Sequence, residues 1–320
     1  MIRIGQLGIG HNHGRAKIGA FARFPELFEI VGVAEPNEAW WQKRGHLYDW
    51  LPRMSEEELL TKVDAVVVET DVPDLVATAH RCIKAGKHVH MDKPAGGNLE
   101  EYRSMLEEAQ ERGLVVQLGY MLRYNPGITR VVEAVRKGEL GKIESVDAQM
   151  STGHDGWYRR WLDGIAGDVR YIMGSNMVDL IVRMLGEPTA VHNFGRCTGR
   201  DGISYPDNNF TLLEYDDALV RLTVSSCEVN GHGQRRLVVS GDKAAYKIEP
   251  LESDQVVYYA QAGGDPYKNT AVPVAVPTLE DRYEEQAHDF HDYVVGLKEN
   301  PYSYDYEYSV EKIIRKVAQI

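Results

Sequence analysis

A short β-rich run that ends by offering a lysine, His88-Val89-His90-Met91-Asp92-Lys93-Pro94, is the strongest chemical signal in the chain. An ammonium at a strand tip can stabilise a developing alkoxide or exchange a proton with it, and the proline fixes the turn behind it. A second signal, Gly8-Ile9-Gly10-His11-Asn12-His13-Gly14, follows an apolar run at the N-terminus. Glycines at this spacing let backbone N–H groups approach a pyrophosphate at a helix N-terminus, where the dipole favours anions. The third place of the G-x-G-x-x-G pattern falls on His13, with Gly14 one residue late. Taken alone, the turn would equally suit a tight strand-to-helix connection. Glu35 supplies the third signal at the end of the second apolar run, 21 residues after Gly14. A carboxylate there accepts the hydrogen bonds of an adenosine ribose diol and repels a 2′-phosphate. Pro36 and Asn37 offer no arginine to hold such a phosphate, so NAD is favoured over NADP. Together the three signals predict a nicotinamide dinucleotide site with a lysine at its reacting end. The expected cofactor-binding residues are Gly8, Gly10, His11, Asn12, His13, Glu35, Thr70, Lys93 and Pro94. Trp40, Trp41 and Trp50 lie just beyond and could wall the adenine, although such spacing also suits packing.

The elements that must position these groups come from an alternation of patterns. Apolar runs at 2–7, 30–34, 63–68, 88–91 and 114–118 are short and β-rich, as buried parallel strands are. Between them, Leu75, Val76, Ala79 and Ile83 share one helical face, and Leu99, Tyr102, Leu106 and Ala109 share another. Repeated β-α units of this kind predict a doubly wound parallel sheet that binds ligands beyond the carboxyl ends of its strands. The character changes near residue 120. A helix over 128–136, a strand over 143–150 and a helix over 172–185 are followed by antiparallel signals. Runs at 210–215 and 218–224 flank Asp216-Asp217, and runs at 236–240 and 245–248 flank Gly241-Asp242. Two helical patterns, 283–297 and 306–318, close the chain. The fold class expected is α/β: an N-terminal Rossmann domain over 1–121 and a C-terminal α+β domain over 122–320 with a largely antiparallel open sheet. No flexible linker separates the halves, and a cleft between them is the expected ligand site.

With the lysine and the sheet placed, the chain resembles the Gfo/Idh/MocA oxidoreductases, the glucose-fructose oxidoreductase and inositol dehydrogenase group. The resemblance rests on five segments in order: the glycine turn, Ala85-Gly86-Lys87-His88-Val89 leading to Asp92-Lys93-Pro94, and Gly119-Tyr120-Met121-Leu122-Arg123-Tyr124-Asn125-Pro126. Gly138-Glu139-Leu140-Gly141-Lys142-Ile143 and Gly174-Ser175-Asn176-Met177-Val178-Asp179 complete it. It implies NAD(P)-linked oxidation or reduction at a sugar or polyol carbon, an open C-terminal sheet that often mediates oligomer contacts, and a homodimer or homotetramer. In the family, the lysine of a Glu-Lys-Pro motif bonds the reacting oxygen beside the nicotinamide. Here the motif is Asp92-Lys93-Pro94, with the acid one methylene shorter. The family commonly carries an Asp and a His four residues apart on one helical face to orient substrate and relay the proton. Ile172 and Asn176 stand at those places, and neither titrates near neutrality.

Three substitutes for that relay are available. Lys93 could act alone as acid and base, Tyr158 could supply a phenol beside it, and His154 could titrate near pH 7. Both lie in the loop His154-Asp155-Gly156-Trp157-Tyr158-Arg159-Arg160-Trp161, whose aromatic faces suit sugar C–H surfaces. Trp157 and Trp161 are also spaced i, i+4, as in the core of a short helix. The catalytic set expected is therefore Lys93, Tyr158, Asn176 and His154, with Arg123, Trp157, Tyr158 and Asn176 as substrate contacts. Asp168 could recover some missing carboxylate function or serve a helix N-terminus, and Asp179 suits a structural role. His232 and Gln234 occupy a glycine-bounded turn that could reach the site or be a plain hairpin. The pairs His11/His13, His88/His90 and His288/His291 lack a third ligand at usual spacing, so no metal is expected.

Composition narrows the partners. A 320-residue chain with 43% hydrophobic and 26% charged residues and a net charge of −12 disfavours nucleic acid and anionic membranes. No apolar run approaches a membrane span of roughly 20 residues, and the immediate N-terminal strand leaves no room for a signal peptide. Three widely spaced cysteines, Cys82, Cys197 and Cys227, suit a reducing cytoplasm. The reading is an NAD-dependent oxidoreductase acting on a hydroxyl or ketone of a small sugar- or polyol-like molecule. A non-catalytic dinucleotide-binding homologue, or an NAD-dependent lyase or glycosidase using transient oxidation, are the alternatives.

Overall fold

The structure is a computed structural model that describes residues 1–262 and 265–320. The chain folds into two compact units. The first comprises Met1–Met121 and Asp281–Glu311, the second Leu122–Glu280 and Lys312–Ile320.

The first unit alternates β1 (Ile2–Leu7), α1 (Gly14–Ala22), β2 (Phe28–Ala34), α2 (Glu38–Arg44), α3 (Glu56–Lys62), β3 (Ala65–Val68), α4 (Leu75–Lys84), β4 (His88–Met91), α5 (Leu99–Glu111) and β5 (Val116–Leu118). The strands form one parallel sheet in the order β2-β1-β3-β4-β5. All four residues of β3 are buried, as expected for a central strand covered on both faces. Leu75, Val76, Ala79 and Ile83 are the buried face of α4, and Tyr102, Met105, Leu106 and Ala109 that of α5. Asn37, Ser55 and Asn98 cap α2, α3 and α5 by accepting hydrogen bonds from first-turn N–H groups. The chain leaves β1 towards β2 on one side and later fills β3 on the other. The strand order therefore reverses between β1 and β3, which is where such sheets open a ligand crevice.

The second unit contains α6 (Pro126–Arg136), β6 (Ile143–Gln149), α7 (Gly156–Asp163), α8 (Ser175–Leu185), β7 (Ala190–Arg196), β8 (Asn208–Glu214), β9 (Leu219–Ser225), β10 (Arg236–Gly241), β11 (Ala244–Ile248), β12 (Gln255–Ala262) and β13 (Asp265–Ala275). Its sheet runs β13-β12-β11-β10-β6-β9-β8-β7. The pairings are antiparallel except that of β6 with β9. The α/β class with a parallel sheet and a largely antiparallel one is thus observed. The closing helices are α9 (Glu284–Val295) and α10 (Tyr304–Ala318).

Two expectations change. The second domain does not run continuously over 122–320, because residues 281–311 belong with the first unit. The cause is apolar: Ala287 and Phe290 of α9 join Ile18, Phe21, Phe28 and Val67 in one core. The expected loop at 154–161 is instead mostly the short helix α7, because Asp155 caps it by accepting from Tyr158 N at 2.8 Å. Among the described residues, no helix is long and apolar enough to cross a membrane.

Candidate active site

In the first unit, the turn after β1 meets the residue after β3. Gly8 has φ +90, and a Cβ there would sit 2.5 Å from Thr70 N. A Cβ on Gly10 would sit 2.7 Å from Asp71 N. Glycine is thus required at the first place by backbone conformation and at both by close approach. The Thr70 hydroxyl beside this turn is buried without a hydrogen-bond partner. Helix α1 begins at Gly14 with no side-chain cap and no acid in its first turn, so its positive dipole end is not offset by a first-turn carboxylate. Glu35 Oε2 accepts from Ile9 N at 2.8 Å and Oε1 from Asn37 N at 2.7 Å. Burial raises its pKa against these two bonds. Each oxygen retains a lone pair for a ribose hydroxyl. An uncapped helix, an orphaned hydroxyl and a glycine cradle fit a dinucleotide: Gly8 and Gly10 would admit its pyrophosphate and Glu35 its ribose. The bound coenzyme would supply hydride chemistry.

Arg44, which no sequence motif singles out, braces the same turn. Its Nη1 donates to Gly10 O and His11 O, both at 2.9 Å, and Nη2 donates to Asn12 Oδ1 at 3.1 Å. The guanidinium also lies 5.0 Å from the Trp40 ring centroid. Trp40 and Trp41 pack against the apolar core, and Trp50 lies under Arg15, so their observed role is packing.

At the end of β4, Asp92 and Lys93 are both buried. Asp92 Oδ1 accepts from Lys93 N at 2.6 Å. Its Oδ2 lies 2.9 Å from His13 Nδ1, 3.1 Å from His11 Nδ1 and 3.0 Å from Lys17 Nζ. Glu69, at the end of β3, completes the group, 3.4 Å from Lys17 and 3.5 Å from His11. Burial alone would raise the Asp92 pKa, but His11, Lys17 and His13 outweigh it and hold the carboxyl well below its usual range. Burial, with Asp92 beside it, pushes Glu69 well above. The two buried acids are thus driven in opposite directions, Asp92 towards the ionised form and Glu69 towards the protonated one. Burial opposes the Lys17 charge, yet Asp92 and Glu69 raise its pKa above the ordinary value. The shorter acid of the Asp-Lys-Pro motif thus spans from the lysine's own backbone to the glycine turn.

This convergence supplies the third group that spacing did not show for His11 and His13. The ligand atoms of His11, His13 and Asp92 lie within 4.8 Å of one another. The Lys17 ammonium already serves the shared oxygen as its cation, which favours a proton-bearing network over a metal centre. His88 and His90 turn to hydrogen bonding with β5: His88 Nδ1 accepts from Val115 N, and His90 Nδ1 lies 2.7 Å from Gln117 Oε1. His288 packs on Phe24, and His291 Nδ1 lies 2.9 Å from Asp292.

In the second unit, the expected substrate contacts fare differently. Arg123 is buried with its guanidinium clamped on Asp179, Nη2 to Oδ1 at 2.6 Å. That pairing suits the structural role expected for Asp179. His154 stacks on Tyr158 with ring centroids 4.1 Å apart. Burial first, then Arg235, lowers its pKa to about 4, so it does not titrate near pH 7 as expected. Trp157 is exposed and Tyr158 half-buried on α7. Arg159 turns inward to Asp207 and Asp201.

A π turn, Arg170–Gly174, precedes α8 where a regular helix was expected. Asp168 enters it at φ +52, accepting from Arg170 N and pairing with the Arg170 guanidinium, a helix N-terminus role. Ile172 and Asn176 are both buried. The Asn176 Nδ2 donates to Met173 O at 3.3 Å, while its buried Oδ1 has no partner. His232 and Gln234 lie in a single 3₁₀ turn, Gly231–Gln234, with Gln234 Nε2 bonded to Val229 O.

Similarity to known proteins agrees with this architecture. Residues 2–120 match the oxidoreductase family with an NAD-binding Rossmann fold, and residues 128–247 match the Gfo/Idh/MocA C-terminal domain. The scyllo-inositol 2-dehydrogenase (NADP(+)) of Bacillus subtilis is 28% identical over 112 residues, 34% of this chain and 31% of that protein. The trans-1,2-dihydrobenzene-1,2-diol dehydrogenase of Sus scrofa is 33% identical over 198 residues, 61% of this chain and 58% of that protein. The chain thus spans less than two thirds of the length of either relative. In fold, it resembles the UDP-N-acetylglucosamine 3-dehydrogenase of Acidithiobacillus ferrooxidans with a TM-score of 0.81 at 21% identity, covering 99% of this chain and 97% of that one. On its glycine turn, its two sheets and these matches, the chain belongs to the Gfo/Idh/MocA family of NAD(P)-binding oxidoreductases.

Proposed function

We propose that this protein is an NAD-dependent dehydrogenase or reductase of a hydroxyl or ketone carbon in a sugar, polyol or related small molecule. The observation that carries the reading is the buried end of β4, where Asp92 ties the Lys93 backbone to the glycine turn. Lys93 would hold the reacting oxygen and exchange its proton. Substrate-orienting roles for Tyr158, Trp157 and Asn176 belong to the proposal, the last supported by the orphaned amide oxygen. Gly8, Gly10, Glu35 and Thr70 would bind the coenzyme, with Asn12, His11, His13 and Pro94 around them. NAD is favoured over NADP because Glu35 lies at the ribose position and the neighbouring Arg44 is already committed to the turn's carbonyls. A homodimer or homotetramer in a reducing cytoplasm is part of the same proposal. It is supported by exposed Phe194 and Leu219 on strands of the second sheet and by three free cysteines.

The test is nicotinamide absorbance at 340 nm with NAD and with NADP. The panel would contain scyllo-inositol, trans-1,2-dihydrobenzene-1,2-diol, UDP-N-acetylglucosamine and common aldoses and ketoses. Turnover with NAD, at a kcat/KM about tenfold or more above that with NADP, is expected; that ratio is roughly 1.4 kcal/mol of discrimination. A reversed coenzyme ratio would overturn the NAD assignment. Tight NADH binding with no turnover would replace the enzyme by a non-catalytic homologue, and product without net absorbance change would select the lyase alternative.

A further inference from the structure

Arg44 reaches the glycine turn from α2, and the proposed chemistry gives it no task. Its Nη1 meets three successive carbonyls, Gly10 O and His11 O at 2.9 Å and Ile9 O at 3.4 Å. Nη2 donates to Asn12 Oδ1 at 3.1 Å, so the Asn12 side chain turns to α2 as well. A trans peptide points its C=O and its N–H in opposite directions. The Ile9 and His11 carbonyls face the guanidinium, so the Gly10 and Asn12 N–H groups point away from it. Neither N–H has an acceptor among the described residues. The peptide between them is fixed on both sides, because the His11 N–H donates to Glu69 O at 2.9 Å. A turn that offers N–H groups without acceptors is a concavity for an anion. The guanidinium is itself held in place. It lies 5.0 Å from the Trp40 ring centroid, and α2, which carries both, is tied at its start to Glu35 by the Asn37 N–H at 2.7 Å.

We propose that Arg44 is the positioning residue for the pyrophosphate of the coenzyme. It holds the Ile9 and His11 carbonyls towards α2, so that the Gly10 and Asn12 N–H groups are turned out before the anion arrives. This rests on the reading of the glycine turn as a dinucleotide site and is independent of the role given to Lys93. N–H groups held in the bound orientation need no ordering on association, and affinity gains by that saving. The fork matters as well as the charge. A planar guanidinium serves several carbonyls and an amide oxygen at once, whereas an ammonium is a compact charge on a flexible stem. Helix α2 thereby joins the two contacts of the adenosine half, Glu35 at its start and the turn at its end.

The experiment measures the Kd of NADH by fluorescence and of ADP-ribose by calorimetry for wild type, Arg44→Met, Arg44→Lys and Arg53→Met. ADP-ribose carries the pyrophosphate without the nicotinamide, so a loss common to both ligands lies in the half that the turn holds. Arg53 is the control: it sits 4.3 Å from the Trp41 ring centroid and pairs with Glu38, not with the turn. Arg44→Met should raise both Kd values about tenfold or more, the weight of one hydrogen bond to a charged group. Arg44→Lys, which keeps the charge and loses the fork, should raise them at least about threefold, and Arg53→Met should stay within about threefold of wild type. With a substrate from the 340 nm panel, Arg44→Met should raise KM for NAD at little change in kcat, whereas a variant that is merely less folded loses kcat and keeps KM. Unchanged Kd values in Arg44→Met overturn the inference. So does full recovery in Arg44→Lys, which would leave charge alone as the cause, or an equal loss in Arg53→Met. A wild type that binds neither NADH nor ADP-ribose overturns the dinucleotide reading itself, a result distinct from a wild type that binds both beside an unaffected Arg44→Met.

Discussion

The two units spend their buried charge in opposite ways. In the second unit, three buried arginines pair with carboxylates: Arg123 with Asp179, Arg159 with Asp207 and Asp201, Arg170 with Asp168. Each arginine fork meets a carboxylate and the charge is cancelled locally. At the end of β4, one carboxylate oxygen is shared by Lys17, His11 and His13, with a second buried acid beside them. A shared oxygen cannot satisfy every neighbour, so protons and charge there stay responsive to what binds. A paired charge has its partner fixed, whereas an over-subscribed carboxylate leaves its neighbours competing for one oxygen. Buried charge density alone does not tell them apart, because both regions have it.

The largest effect expected is on Lys93. Lys93→Met should reduce kcat by about 10²–10⁴-fold, the range for a positioned proton-transfer group, while NADH still binds. Unchanged turnover would move the chemistry away from β4 and erase the contrast between the units. Next come the two carboxylates. Asp179→Asn leaves Arg123 buried without its partner and Asp92→Asn leaves Lys17 with less compensation; each should cost about 3–5 kcal/mol in urea unfolding. Only Asp92→Asn should also alter NADH affinity. If Asp179→Asn shifts that affinity equally, the contrast between the units is lost.

Acid stability gives a third, smaller separation. Burial lowers His90 to about 3 and His154 to about 4, each from the ordinary 6.5. Below 6.5 the unfolded chain binds protons that the folded one refuses, so stability is intact above 6.5 and falls as pH drops towards those values. His90→Gln should flatten this loss by on the order of a few kcal/mol. His154→Gln should flatten it less, because His154 is less deeply buried. Equal slopes in pH-dependent denaturation would contradict that ranking. The smallest effect concerns Gly119, where a Cβ would overlap Lys17 Nζ. Gly119→Ala should cost about 1–3 kcal/mol of stability, as overpacking does, and should displace the ammonium from Asp92. A crystal structure of the variant with Lys17 in place would refute the second part.

Much of this architecture is legible along the chain because it is periodic or local. The β-α alternation announces the parallel sheet, and Gly8 at positive φ occupies a turn whose spacing already demands glycine. The hairpin partners β8–β9 and β10–β11 follow from turn residues between alternating runs. The strands β7 and β12 give no comparable signal, since neither AVHNFGR nor QVVYYAQA alternates apolar with polar residues. The pairing of Arg123 with Asp179 and the lowered pKa of His154 could not be read along the chain, because residue type states what a side chain can do, and only its neighbours state what it is free to do.

The sequence by itself determined the class of fold, the dinucleotide turn and the lysine at the end of β4, for these depend on spacing along one strand or one turn. Tertiary structure alone decided that α9 returns to the first core, that Arg44 braces the glycine turn, and that Asp92 gathers His11, His13 and Lys17 around one oxygen. The contacts around Asp92 alone join residues up to 81 positions apart, and a pKa is fixed by whatever the fold places within a few ångströms, which no spacing along the chain encodes.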